Sequence, residues 1–104
     1  MPYTMANKKA LKFTFIVNFR GGIYCAQVDA TNVNESILQW INQIEKERDQ
    51  IKFLGNKIIS ELKKEVQHDY NIPVPLNGLK NIWFVSFSTR KGSFLINIVK
   101  TSSK

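Results

Sequence analysis

Residues 11–20 alternate. Leu11, Phe13, Phe15, Val17 and Phe19 are apolar, Lys12, Thr14, Asn18 and Arg20 are polar, and Ile16 is the one break in the pattern. A period of two with this many aromatics predicts a strand with one buried face. Arg20-Gly21-Gly22-Ile23 follows, and Gly-Gly accepts the positive φ of a tight primed turn. A two-residue loop at Gly21-Gly22 sets Phe19 against Tyr24, Val17 against Ala26, Phe15 against Val28 and Phe13 against Ala30. Every inward pair is then apolar, whereas a slip of one residue puts Phe15 beside Gln27 or Asp29.

The period then changes. Asn32 is a good N-cap, and Glu35 three residues later completes a capping box. Val33, Ile37, Leu38, Ile41 and Ile44 recur at helical spacing with Trp40 beside them. Gly55-Asn56 breaks that pattern, and a second helix is expected over residues 57–68, with Ile58, Ile59, Leu62 and Val66 on one face and Lys57 and Glu61 paired on the other. Residues 71–75 hold two prolines and read as extended chain, and Leu76-Asn77-Gly78 reads as a turn. Residues 82–89 and 94–100 alternate again around Arg90-Lys91-Gly92. A two-residue loop at Lys91-Gly92 sets Phe87 against Ile96 and Val85 against Ile98, a four-residue loop preserves that facing, and a three-residue loop sets Val85 against Asn97 and is disfavoured. The order β-β-α-α-β-β predicts an α+β fold in two layers, a four-stranded antiparallel sheet covered on one face by two helices. Residues 11–100 make a single domain, with flexible ends at 1–10 and 101–104. Met5 is an alternative start to Met1.

Length and composition agree with that picture: 104 residues, 43% hydrophobic and 22% charged, is an ordinary single globular domain. The longest apolar runs, residues 23–26 and 82–85, are far below the ~20 residues of a membrane helix. Residues 1–10 lack the apolar centre of a secretion signal. A lone cysteine, Cys25, forms no internal disulfide, which fits a reducing, cytoplasmic setting. Charge is uneven. Of the net +7, residues 1–30 contribute +3, residues 31–70 contribute −1 and residues 71–104 contribute +5. This favours acidic partners without specifying nucleic acid.

Catalytic chemistry has little to work with. His68 is the only histidine and Cys25 the only cysteine. A nucleophile needs a contacting base and an orienting third group, and a metal site needs three or four ligands. Gly21-Gly22 precedes no helix and so cradles no phosphate. The expectation is a non-enzyme with no catalytic residues, metal or cofactor. A ligand pocket near Trp40, Trp83 and Tyr70 is a distant third reading.

Two surfaces carry the functional expectation. The pairing turns Ile16, Ile23, Cys25, Phe84, Leu95 and Val99 away from the helices, with Cys25 opposite Asn18. An apolar patch there marks an interface, for which Ile16, Ile23, Phe84, Leu95 and Val99 are the partner-binding candidates. If the helices form an up-down pair, both hairpin tips point the same way, and Arg20, Arg90 and Lys91 converge into a candidate anion-binding group. Stacking on bases is poorly served, because most aromatics point inward and Phe84 is the one clear outward ring.

Residues 13–44, a strand pair followed by Ala30-Thr31-Asn32 and an amphipathic helix, resemble HicB-type antitoxin domains in outline. Those have a third strand before the helix, where this chain has a tight Gly-Gly hairpin. The resemblance spans about a third of the chain and implies binding and neutralising a toxin. The sequence therefore points to a small interaction module that binds a protein partner or a second copy through the open sheet face, an immunity or antitoxin-like role being one form of it. The alternative is a basic nucleic-acid accessory protein that contacts phosphates through the hairpin tips. No membrane association is expected.

Overall fold

The computed structural model describes residues 11–47, 51, 55–67 and 72–102. Strands β1 (Leu11–Phe19) and β2 (Gly22–Ala30) form the first hairpin. Helices α1 (Val33–Lys46) and α2 (Asn56–Gln67) follow, and β3 (Val74–Pro75), β4 (Ile82–Thr89) and β5 (Gly92–Ser102) come last. The sheet runs β2-β1-β5-β4-β3, every neighbouring pair antiparallel. The α+β class is as expected, but the sheet has five strands rather than four. Val74 and Pro75 pair with Phe84 and Trp83. A two-residue strand has no alternation to read, and proline is admitted to a sheet mainly at such an edge. β5 also runs on to Ser102, so Thr101 belongs to the sheet rather than to a tail. Its hydroxyl donates to the Lys12 carbonyl at 3.2 Å. The expected segment 1–10 and residues 68–71, with His68 and Tyr70, lie outside the described residues.

Alternation in β1 delivers the facing it predicts. Phe13, Phe15, Val17 and Phe19 are buried to 1% exposure or less, as are Phe87, Phe94, Ile96 and Ile98 on β4 and β5. Trp40 of α1 stacks on Phe15 at 5.5 Å and meets Phe94 edge-on at 6.1 Å, while Phe19 and Phe94 stack at 3.9 Å. Aromatic pairs of this kind add about 0.5–1.5 kcal/mol each beyond the area they bury. The helical stripe is rotated from the expected one. Trp40 sits at its centre with Ile37, Ile41 and Ile44, and Leu38 is 50% exposed. In α2, Ile58, Ile59 and Leu62 are buried as expected.

Asn32 caps α1 through its Oδ1, which accepts from the Glu35 N–H at 2.8 Å. Glu35 reaches back one residue further than a capping box requires, accepting from the Thr31 N–H at 2.6 Å and the Thr31 hydroxyl at 2.7 Å. The Lys57–Glu61 pair expected on α2 is replaced by a tertiary contact of Glu61 with Arg90, described below.

Both hairpin registers are offset by two residues from expectation. The first turn is Arg20-Gly21, with φ of 50° and 83°, and Phe19 closes it against Gly22. Phe15 therefore faces Ala26 and Val17 faces Tyr24. The second turn is Arg90-Lys91, so Phe87 faces Phe94 and Val85 faces Ile96, with positive φ falling on Gly92. A shift of two preserves which side each residue faces, so the pattern cannot distinguish the two registers. A Cβ on Gly22 would lie 2.5 Å from the Tyr24 hydroxyl oxygen, so Gly22 gives its space to the Tyr24 side chain. Gly21 has open space around its Cβ position and is needed for its φ instead.

The two glycines are thus expected to fail differently. Gly21→Ala should cost about 1–2 kcal/mol from left-handed backbone strain, whatever residue stands at 24. Gly22→Ala should cost less, because the outer end of the half-buried Tyr24 side chain can move aside, and that cost should disappear in a Tyr24→Ala background. Urea unfolding of the single and double variants measures both; equal cost in the two backgrounds would contradict the packing role of Gly22.

Candidate functional site

The face of the sheet opposite the helices carries the candidate surface, and the observed register sets its layout. Asn97 on β5 is at the centre. Ile16 on β1 and Phe84 on β4 lie directly across from it, and Leu95 and Val99 precede and follow it on the same face of β5. Val99 pairs with Ile82 and Phe84 with Val74, which continues the apolar surface toward the β3 edge. From strand and residue spacings this cluster spans roughly 14 by 14 Å. Thr14, Asn18 and Ser86 border it. Directly opposed side chains on such a face are close enough to touch.

Four of the five predicted partner residues, Ile16, Phe84, Leu95 and Val99, therefore surround one position. Ile23, 67% exposed, lies on β2 opposite Asn18, which separates it from Leu95 in that row. Cys25 is exposed on this face but stands opposite Ile16 rather than Asn18, because of the two-residue offset. The sequence reading missed Ile82 and Val74. Ile82 shares the parity of Phe84 and was legible from it. Val74, 57% exposed, joins the face only through the pairing of β3.

The hairpin tips do meet at one end of the sheet. Arg20 Nη1 donates to the Lys91 carbonyl at 2.8 Å. Arg90 is held by α2: its backbone N–H donates to Glu61 Oε1 at 2.8 Å and its Nε donates to Glu61 Oε2. Arg20, Arg90 and Lys91 are thus brought together, with a carboxylate already on Arg90. The Arg90 backbone N–H, and after it the guanidinium, hold the Glu61 carboxyl below its ordinary value. Lys12 and Asp29 pair across β1 and β2 at 3.0 Å, and Lys63 joins Glu45 across the two helices at 2.9 Å. Both pairs are partly exposed and worth little.

Trp40 is a core residue and Trp83 packs half-buried against Phe13, with centroids 6.1 Å apart. Of the residues of the expected pocket, Trp40 does border a cavity, one of about 240 Å³ beside β2 with Ile44 also in its wall. Among the described residues no cluster of three or more His, Cys, Asp or Glu side chains is placed to hold a metal, and no helix is long and apolar enough to cross a membrane. No family model, curated protein or solved structure matches the chain. The outline shared with HicB-type antitoxin domains accordingly rests on element order alone.

A carboxyl lowered in the folded state stabilises the fold above its unfolded pKa, and that contribution is lost as pH falls through the folded value. The contact of α2 with the second hairpin should therefore persist at neutral pH and weaken in acid, as pH falls below the ordinary glutamate range. A carbon-13 titration of Glu61 should give a midpoint below that of a peptide glutamate. Arg90→Ala should restore it only in part, since the residue 90 amide remains. A midpoint at or above the peptide value would contradict the contact.

Proposed function

We propose that this chain is a non-catalytic interaction module whose open sheet face binds a protein partner or a second copy of itself. The observation that carries the reading is the cluster of Ile16, Ile82, Phe84, Leu95 and Val99 around Asn97, on a face with no helical layer against it among the described residues. An apolar centre bordered by Thr14, Asn18 and Ser86 has the layout of an interface core with a polar rim. The cluster's span of roughly 14 by 14 Å is within the range of apolar patches on ordinary monomers, so a standard interface of ~800 Å² per partner would need the rim as well. An immunity or antitoxin-like role, in which such a face occludes a toxic partner, is one concrete form of this function.

Phosphate binding by the tips is the second reading. The Arg20–Lys91 contact favours it by placing the two basic turns together. The Glu61 carboxylate on Arg90 weighs against it, because an incoming phosphate would have to displace that partner.

Phe84→Asp and Leu95→Asp test the first reading. Each should abolish self-association measured by sedimentation over a wide concentration range, or, if the chain is monomeric, retention of its native-host partner. Each should also leave the circular dichroism spectrum unchanged. Leu38→Asp, on exposed helix surface, should have no effect on either. Association that survives both sheet-face variants would remove this assignment. Binding of nucleic acid at moderate salt that is lost on Arg20→Ala and Lys91→Ala would support the second reading.

A further inference from the structure

The outward face of the sheet differs from the rest of the molecule in charge. Read from β2 across to β3, its middle row is Cys25, Ile16, Asn97, Phe84 and Val74. The row toward the hairpin tips has Leu95 on β5, and the row on the other side has Val99. Among the described outward positions of the five strands, the charged side chains are Lys12 and Asp29, and they pair with each other at 3.0 Å. Lys100 stands opposite Phe13 and so belongs to the helix side. Arg20, Arg90 and Lys91 lie in the turns, beyond one end of the face. A chain of net charge +7 thus keeps one broad face without net charge.

That distribution selects an occupant. Two copies repel wherever their basic surfaces approach, and an uncharged face is where they can meet. An acidic partner, which the charge elsewhere attracts, gains nothing from this face. The polar groups point the same way. A twofold interface sets one patch against itself, so each polar group must find its partner within the same set. Thr14, Asn18, Gln27, Ser86 and Asn97 each carry both a donor and an acceptor. Asn97 is half-buried at the apolar centre, and no hydrogen bond to another described residue occupies its side-chain amide. Two amides placed face to face exchange donor for acceptor, and a lone asparagine in an apolar seam fixes the register of paired helices in coiled coils.

We propose that the open face takes a second copy of this chain, sheet on sheet, about a twofold axis that crosses the strands at Asn97. The inference rests on the reading of this face as an interface and names its occupant. Stacked sheets lie ~10 Å apart with the helices outside. An axis across the strands sets Asn97, Ile16 and Phe84 each against its own counterpart, and Leu95 against the partner's Val99. It also carries the basic turns of the two copies to opposite ends of the dimer. An axis along the strands would gather Arg20, Arg90 and Lys91 of both copies at one end, like charge against like. The three uncharged rows span about 19 Å across the strands and about 14 Å along them. That falls short of the ~800 Å² per partner of a standard interface, so the dimer is weak and reversible.

Sedimentation of the full chain tests this. It should be monomeric at about 10 μM and dimerise toward about 1 mM. Raising sodium chloride from about 0.05 to about 0.5 M should strengthen the dimer, because salt screens the repulsion between like-charged copies. Asn97→Asp and Asn97→Lys should each stay monomeric with an unchanged circular dichroism spectrum. Their equimolar mixture should associate at least about tenfold more tightly than either alone. Leu95→Lys mixed with Val99→Asp repeats the test away from the axis, should a charge at position 97 unfold the chain. Self-association that weakens with salt, that survives Asn97→Asp, or that neither mixture restores would overturn the proposal. So would a chain that is still monomeric at about 1 mM in high salt. In that last case, a native-host partner lost on Phe84→Asp would leave the face an interface with a foreign occupant. A partner retained by Phe84→Asp would remove the interface reading as well.

Discussion

Burial of one face of the sheet against α1 is the constraint on which the other features rest. The inward side chains of β1 and β5 form a continuous aromatic and aliphatic layer, and Trp40 lies on it, touching Phe15 and Phe94. Removing a large aromatic from such a layer typically costs about 3–5 kcal/mol, a substantial share of the 5–15 kcal/mol that holds a domain together. Because strand side chains alternate, fixing Phe15 and Ile96 inward also fixes Ile16, Leu95 and Asn97 outward. The exposed cluster is thus the geometric complement of the core, and it persists as long as the core does.

The same layering explains the uneven treatment of polar groups. α2 runs beside β4 and has carboxylates placed where the β4 backbone needs acceptors, which uses Glu61 and Glu65 for structure. Arg90 is drawn into that arrangement and Arg20 reaches across to the other turn. Basic residues that look like a ligand site in the sequence thereby acquire partners within the fold. β2, on the opposite side, receives no equivalent cover among the described residues. The outward face and the β2 edge adjoin at Ile23 and Cys25.

Facing was legible in the sequence and register was not. The alternation in residues 11–20 places Phe13, Phe15, Val17 and Phe19 correctly, because period two has one solution for which side is inward. It is blind to a shift of two, which changes every cross-strand partner without turning any side chain over. Leu38 and Trp40 show a similar limit: both are apolar, and which one points at the sheet depends on how α1 is rotated by its packing. The Asn32 cap was legible because capping is local chemistry. β3 was not, since Val74 and Pro75 become a strand only by meeting β4. Four of the five face residues were found by parity alone, but their closure around Asn97 needed the β1–β5 pairing, which joins segments about eighty positions apart.

One-sidedness of the sheet can be measured directly by adding a soluble gadolinium chelate to dilute, methyl-labelled protein and recording relaxation residue by residue. Broadening of Ile16, Ile23, Leu95 and Val99, with Val17, Val85, Ile96 and Ile98 left sharp, is the outcome this structure requires. Comparable broadening of neighbouring β5 positions, Leu95 with Ile96 or Val99 with Ile98, would mean that the strand does not separate a covered from an uncovered side.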